Sequence, residues 1–204
     1  MIYVSDEKAA EAENLFRDNG GMLRTSEALD LGIHPRTLYF LRDTGRLEQV
    51  SRGVYRLADL PPLEAPDLVT VAARVPDAVV CLISALSFHE ITTEVPHEVH
   101  IALPRGTDKP TLDYPPIRVF YFSGPALTEG VDEHTIDGVP VKIYNAPKTV
   151  ADAFKFRKKI GTDVAIEALK LCLLRRKASP AELMRYARIC RVDRVMQPYL
   201  EALT

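Results

Sequence analysis

The chain has 204 residues, of which 47% are hydrophobic and 26% charged. This is an ordinary globular composition, long enough to bury one or two cores without staples. No apolar run reaches the ~18 residues of a membrane helix. Residues Met1 to Asn14 carry Asp6, Glu7, Glu11 and Glu13 with no apolar stretch, which excludes a secretory signal there. The net charge of −2 conceals an asymmetry. Residues 1–57 hold 8 Lys+Arg and 9 Asp+Glu, net −1; residues 58–140 hold 4 and 13, net −9; residues 141–204 hold 14 and 6, net +8. An acidic middle followed by a basic C-terminal third points to nucleic acid or a charged partner, or to mutual neutralisation on folding. The three cysteines, Cys81, Cys172 and Cys190, form no Cys-x-x-Cys. They read as core residues in a reducing cytoplasm, not as a disulfide framework or zinc knuckle.

The first helix is expected from Ser5 to Asp18. Ser5 is placed to cap it, and Ala9, Ala12, Leu15 and Phe16 fall at helical spacing. Asn19-Gly20-Gly21 ends it. A short helix follows from Thr25 to Leu31, capped by Thr25 or Ser26. Pro35 opens a third helix, on which Leu38 and Leu41 form the apolar face and which Gly45 ends. Arg46 to Val50 and Val54 to Leu57 alternate as strands around Ser51-Arg52-Gly53, the signature of a hairpin. Helix, helix, short glycine turn, helix and hairpin in 57 residues is the pattern of a winged helix-turn-helix.

Three prolines in Leu60-Pro61-Pro62-Leu63-Glu64-Ala65-Pro66 mark a linker. The expected organisation is therefore a winged helix-turn-helix over residues 1–59, a Pro-rich linker over 60–66, and a larger α+β domain over 67–204. In that domain helices are expected over Leu68–Val75, Val79–Ile91, Lys148–Arg157, Asp163–Arg176, Pro180–Cys190 and Val192–Leu203. Strands are expected over Val99–Leu103, Ile117–Phe122 and Val139–Tyr144, with Asp137-Gly138 as a hairpin turn. The fold class is α+β, with a small sheet and closing C-terminal helices.

A recognition helix presents Arg to guanine edges and Thr or Tyr to bases or phosphates in the major groove. Arg36, Thr37, Tyr39, Phe40 and Arg42 lie off the Leu38/Leu41 face and are the candidate DNA-reading residues. Arg46 and Arg52 are expected to flank the hairpin tip, where a wing meets the phosphate backbone, with Ser51 as a further wing residue. Residues 33–57 hold five Arg against Asp43 and Glu48, net +3. Lys155, Arg157, Lys158, Lys159, Arg175, Arg176, Arg185, Arg188 and Arg191 form a second candidate surface, for nucleic acid or a protein partner. Solvated helix faces explain the same charges equally well.

No enzyme constellation emerges. His97-Glu98-Val99-His100 has i, i+3 spacing and runs into a strand, so it is neither the helical i, i+4 metal box nor a pair on one strand face. These histidines read as surface or strand-edge residues. A nuclease core beginning at Asp77 lacks its acid-x-Lys partner on the next strand. No phosphate loop, nucleophile elbow or kinase signature is present. Neither cofactor nor metal is expected.

Gly20-Gly21-Met22-Leu23-Arg24-Thr25-Ser26-Glu27-Ala28-Leu29-Asp30-Leu31-Gly32-Ile33-His34-Pro35-Arg36-Thr37-Leu38-Tyr39-Phe40-Leu41, then Gly45-Arg46-Leu47-Glu48-Gln49-Val50-Ser51-Arg52-Gly53-Val54-Tyr55-Arg56-Leu57, resembles the N-terminal winged helix of AbiEi-type antitoxins. These are the regulators of type IV toxin–antitoxin operons. Cys81 to Ile91, Gly138 to Tyr144 and Pro147 to Ala153 are similar to later parts of the same family, with Lys148-Thr149 where Arg-Thr is usual. The resemblance implies a non-enzymatic repressor that binds inverted repeats of double-stranded operator DNA upstream of its own operon. It implies a C-terminal domain that opposes a cognate nucleotidyltransferase toxin, directly or functionally. With no long heptad, a monomer that pairs on DNA is expected, with no membrane partner. Two other readings stand beside this one. The winged helix docks a protein partner such as the toxin, or residues 67–204 process nucleic acid.

Overall fold

A computed structural model describes residues 4–203. The chain forms two compact units, Met1–Pro76 with Thr135–Pro140, and Asp77–His134 with Val141–Thr204. The expected linker at 60–66 therefore lies inside the first unit, and the helix expected to open the second domain belongs to the first.

In the first unit α1 spans Asp6–Asp18. The Ser5 hydroxyl accepts the Lys8 amide hydrogen (3.4 Å), and Asp6 and Glu7 sit in the first turn, where the helix dipole favours negative charge. Ala9, Ala12 and Phe16 are its buried residues. Gly20 and Gly21, both at positive φ, turn the chain into β1 (Met22–Arg24), a strand the sequence reading missed. Next come α2 (Thr25–Asp30), α3 (Pro35–Asp43), β2 (Leu47–Ser51) and β3 (Val54–Leu57). Neither Thr25 nor Ser26 caps α2. Arg24 holds the cap position, and its amide donates to the Glu27 carboxylate at 2.8 Å; the Thr25 hydroxyl turns instead to the Gly53 carbonyl (3.4 Å).

The three strands order β1-β3-β2, each pair antiparallel, with Arg52-Gly53 as the two-residue turn and a register shift between Gln49 and Ser51. Phe16, Ala28, Ile33, Leu38, Leu41, Leu47, Tyr55 and Leu57 close the core of this unit. A second cluster joins Met22 and Val54 to Val69 and Ala73 of α4 (Pro66–Arg74), with Ile136 and Val139 packed against it.

The second unit is built on a five-stranded sheet, order β6-β5-β4-β8-β7. Its strands are β4 (Val79–Val80), β5 (Val99–Pro104), β6 (Ile117–Phe122), β7 (Val131–Ile136) and β8 (Val139–Tyr144). β4 runs antiparallel to β5 and parallel to β8, and β5 runs parallel to β6. The helix expected over 79–91 is corrected: Val79 and Val80 pair with Ala102 and Ile101, and α5 is only Leu82–Phe88. A continuous apolar run fits a buried strand as well as a helix, and β-branched residues at its start favour the strand. β7 was also missed, although the Asp137-Gly138 turn that leads from it into β8 was read correctly.

α6 (Pro125–Thr128), α7 (Ala146–Lys155), α8 (Arg157–Ile160), α9 (Thr162–Leu174), α10 (Pro180–Cys190) and α11 (Asp193–Leu203) complete the fold. The helix expected over 148–157 starts earlier, at the Asn145 cap, and breaks at Phe156. α7 is buried along its length except at Lys155. It packs against α5, α9, α10 and α11, so its polar side chains must find partners inside the protein.

Candidate nucleic-acid interface

α3 stands where the sequence places the recognition helix. His34 caps it, its Nδ1 accepting the Arg36 amide hydrogen at 3.1 Å, and Pro35 takes the first helical position, where a missing amide hydrogen costs nothing. Leu38 and Leu41 are fully buried. They hold the helix to the core and turn Arg36, Tyr39 and Asp43 to solvent. Thr37 does not join that face. It lies on the buried side at 7% exposure, since one hundred degrees per residue carries it next to Leu41. Phe40 is half-buried and packs against the core.

The five arginines of this segment are sorted by their partners. Arg56 is buried and pairs with Glu48 at 2.6 Å. Arg46 makes a two-pronged bond to Glu13 of α1, at 2.6 and 2.7 Å. This fixes the base of the hairpin and corrects the expectation that Arg46 flanks its tip. Arg42 bonds the neighbouring Asp43 (2.8 Å) and stacks over the Tyr39 ring, 5.0 Å from its centroid. The Arg42–Asp43 bond holds the guanidinium above its usual range, but the pair is exposed and screened by water. Among the described residues Arg36 and Arg52 have no ion-pair partner. Arg52 is exposed at the hairpin tip, where its carbonyl accepts a bond from Arg74 (2.6 Å). Ser51 is half-buried, and its hydroxyl oxygen is enclosed without a partner.

Residues 11–58 match the family model described as transcriptional regulator, AbiEi antitoxin. The matched segment runs from within α1 past the end of β3 and contains α2, α3 and the hairpin. The whole chain is similar in fold to the crystal structure of the RV2827C protein from Mycobacterium tuberculosis. The identity is 13% and the TM-score 0.57, and the match covers 98% of this chain and 83% of that one. No curated protein matches the chain. Within the matched segment the structure brings Arg36, Tyr39 and Arg42 to α3 and Arg52 to the adjacent turn.

The basic residues of the C-terminal third do not form one free surface. Arg175 pairs with Glu90 (3.4 Å) and Arg185 with Glu129 (3.2 Å). Arg157 donates to the Phe154 carbonyl at 2.7 Å. Lys155, Lys158, Lys159, Arg176, Arg188 and Arg191 are exposed or nearly so.

The sequence analysis assigned no role to the polar centre of α7. Lys148 and Asp152 are both fully buried, and Nζ lies 2.5 Å from Oδ2. Nζ also sits 3.9 Å from the centroid of the Tyr144 ring, and the Cys190 thiol donates to Asp152 Oδ1 at 3.2 Å. Burial pushes the Asp152 carboxyl up against the pull of Lys148, and burial pushes the Cys190 thiol up to about 12. The i, i+4 spacing on a helix was the available signal. Lys148, Asp152 and Tyr144 have no solvent exposure, and Cys190 almost none. His100 is likewise buried, at 3% exposure, on the interior strand β5 and not at a strand edge; its ring lies 5.1 Å from that of Phe120.

Among the described residues no group of three or more His, Cys, Asp or Glu side chains is placed to hold a metal. None of their helices is long and apolar enough to cross a membrane.

Proposed function

We propose that this chain is an AbiEi-like antitoxin and autoregulator. Its first unit acts as a winged helix-turn-helix that binds inverted repeats in its own operator and represses the operon. α3 enters the major groove, with Arg36 and Tyr39 as the reading side chains. Arg42 is released from Asp43 on approach to DNA, at little cost for an exposed pair. Arg52 at the β2–β3 turn contacts a phosphate. The observation that carries this reading is the sorting of charge: of five arginines in the segment, the two without carboxylate partners project from α3 and from the hairpin tip. The family match over residues 11–58 supports it independently.

The second unit opposes a cognate nucleotidyltransferase toxin. The protein is a cytoplasmic monomer that pairs on DNA, and it performs no catalysis. Fluorescence anisotropy against duplex DNA from upstream of the gene, with a scrambled duplex as control, tests the repressor role at two salt concentrations. Preference for the upstream duplex that survives the higher salt is expected. Equal, salt-sensitive binding to both would leave only charge being read. Co-expression with the neighbouring toxin gene tests the antitoxin role separately, by growth rescue.

A further inference from the structure

β6 is an edge strand, paired with β5 on one side and ending the sheet on the other. The Pro116 carbonyl accepts the Val99 amide hydrogen (2.8 Å), and the Phe122 carbonyl accepts that of Arg105 (3.0 Å). In a strand the amide and carbonyl of one residue point to the same side, and the side alternates along the chain. Arg118, Phe120 and Phe122 therefore turn theirs to β5, and Ile117, Val119 and Tyr121 turn theirs outward. Among the described residues nothing bonds these outward groups. Exposed edges are usually blunted by lysine, proline, a bulge or a covering loop. β6 reads Ile-Arg-Val-Phe-Tyr-Phe, β-branched and aromatic residues with one cation, and its pairing with β5 runs without a register shift. Ile117 and Val119 are half-buried, and Tyr121 is 39% exposed.

Positive charge flanks the other face of the strand, where Phe120 and Phe122 are buried. Lys155 Nζ lies 5.5 Å from the Phe122 centroid and Lys159 Nζ 5.8 Å from that of Phe120, with the Arg118 guanidinium 5.4 Å from Phe120. A ring face attracts a cation without neutralising it. Both lysines are exposed, and among the described residues neither forms an ion pair. We infer that the outer edge of β6 is a strand-addition site for an extended, acidic segment of a partner protein. The partner's backbone bonds Ile117, Val119 and Tyr121, as in other sheets that accept a guest strand. Its side chains alternate between the two faces. Those on the Phe120 and Phe122 face are carboxylates, drawn by Lys155, Lys159 and Arg118. Those on the opposite face are apolar and lie beside Ile117, Val119 and Tyr121. A second copy of β6 is the poorer occupant, because it brings a second set of the same cations to the edge. The site lies in the second unit and needs no DNA, so it stands apart from the operator reading.

The test uses the full-length protein and a fluorescent heptapeptide of alternating valine and glutamate, followed by anisotropy and by amide NMR shifts. Binding is expected, with the largest shifts at Ile117, Val119 and Tyr121. The same peptide N-methylated at the residues that face β6 is expected to lose it, because it keeps every side chain and charge but not the main-chain donors. Val119→Pro removes an outward amide hydrogen and leaves the bonds to β5, the one arrangement in which a strand tolerates proline. It is expected to weaken binding about tenfold or more. Lys155→Gln/Lys159→Gln is expected to weaken it about fivefold at low salt and much less at high salt. Circular dichroism and thermal unfolding establish that the variants fold, and the N-methylated peptide tests the edge without any variant. Absence of binding to the valine–glutamate peptide overturns the inference. So does binding undiminished by N-methylation, or equal binding of a valine–lysine heptapeptide. A concentration-dependent dimer in sedimentation that Val119→Pro abolishes also overturns it, by giving the edge to a second copy of the chain.

Discussion

Gly20 and Gly138 are separated by more than half the length of the chain, yet their backbones touch. A Cβ on Gly20 would lie 2.7 Å from the Gly138 carbonyl oxygen, and one on Gly138 would lie 2.6 Å from that of Gly20. Both residues are at positive φ, +78° and +79°, so a side chain would be strained there whatever the space. The contact seats the Thr135–Pro140 turn within the first unit. Beside it the Asp137 carboxylate accepts the Glu64 amide hydrogen at 3.0 Å and that of Ala65 at 3.4 Å, just before α4. Gly138→Ala is expected to destabilise the protein by about 2 kcal/mol or more, through backbone strain and a clash with an atom that cannot rotate away. Asp137→Ala is expected to cost about 1 kcal/mol through loss of a cap-like bond. Urea unfolding checks both, and hydrogen exchange should place the loosening in α4.

The arginines of the first unit should divide by role. Arg36→Ala is expected to weaken operator binding by about 1–3 kcal/mol and to relax sequence preference, as removal of a base contact does. Arg52→Ala should weaken all duplexes alike and reduce the salt slope by about one contact. Arg46→Ala should instead act on stability, by about 0.5–1 kcal/mol, because its bond to Glu13 is partly exposed and screened. An operator affinity left untouched by both Arg36→Ala and Arg52→Ala would sink the proposed interface.

The buried pair on α7 predicts a strong asymmetry. Lys148→Met leaves Asp152 enclosed without its cation and is expected to cost about 3–5 kcal/mol. Lys148→Met/Asp152→Leu removes both charges and should recover much of that loss. Thermal and urea unfolding of the two variants decide the matter; equal destabilisation would mean that packing, not charge, dominates at this site.

Stability should also fall in mild acid. His89 donates through Nε2 to the Tyr144 carbonyl at 2.7 Å, and burial lowers its pKa. Burial lowers that of His100 as well, although Glu98 pulls the other way. In the unfolded chain both titrate near about 6.5. A depressed folded pKa means that the unfolded state binds more protons as pH falls. The stability is therefore fully present above about pH 7 and is lost as pH drops through 6.5 towards the folded values. His89→Gln, which keeps a donor but cannot ionise, should flatten the slope of urea midpoint against pH between 7 and 5.

Much of the fold was legible because its signals are local. The Ser5 cap, the Pro35 start, the Gly45 stop and the hairpin turn at Gly53 each act within a few residues of themselves, and each is found in place. The strand expected over Ile117–Phe122 is β6. β4 escaped because Val79-Val80 is too short to show a period, and it becomes a strand only by pairing with β5 and β8. Thr37 was placed outward because the width of a helix's buried face depends on what packs against it.

The proposed site shows the same division. Composition and spacing alone determined that residues 33–57 are net positive and that an exposed helix and hairpin carry the charge. Only the tertiary structure decided which arginines keep it. Arg46 is bound by a carboxylate 33 positions away and Arg56 by one on the neighbouring strand. Helix caps and turns are set by backbone geometry over three or four residues, so they can be read along the chain. Ion pairing and burial are set by distance in space, which the linear order of residues does not contain.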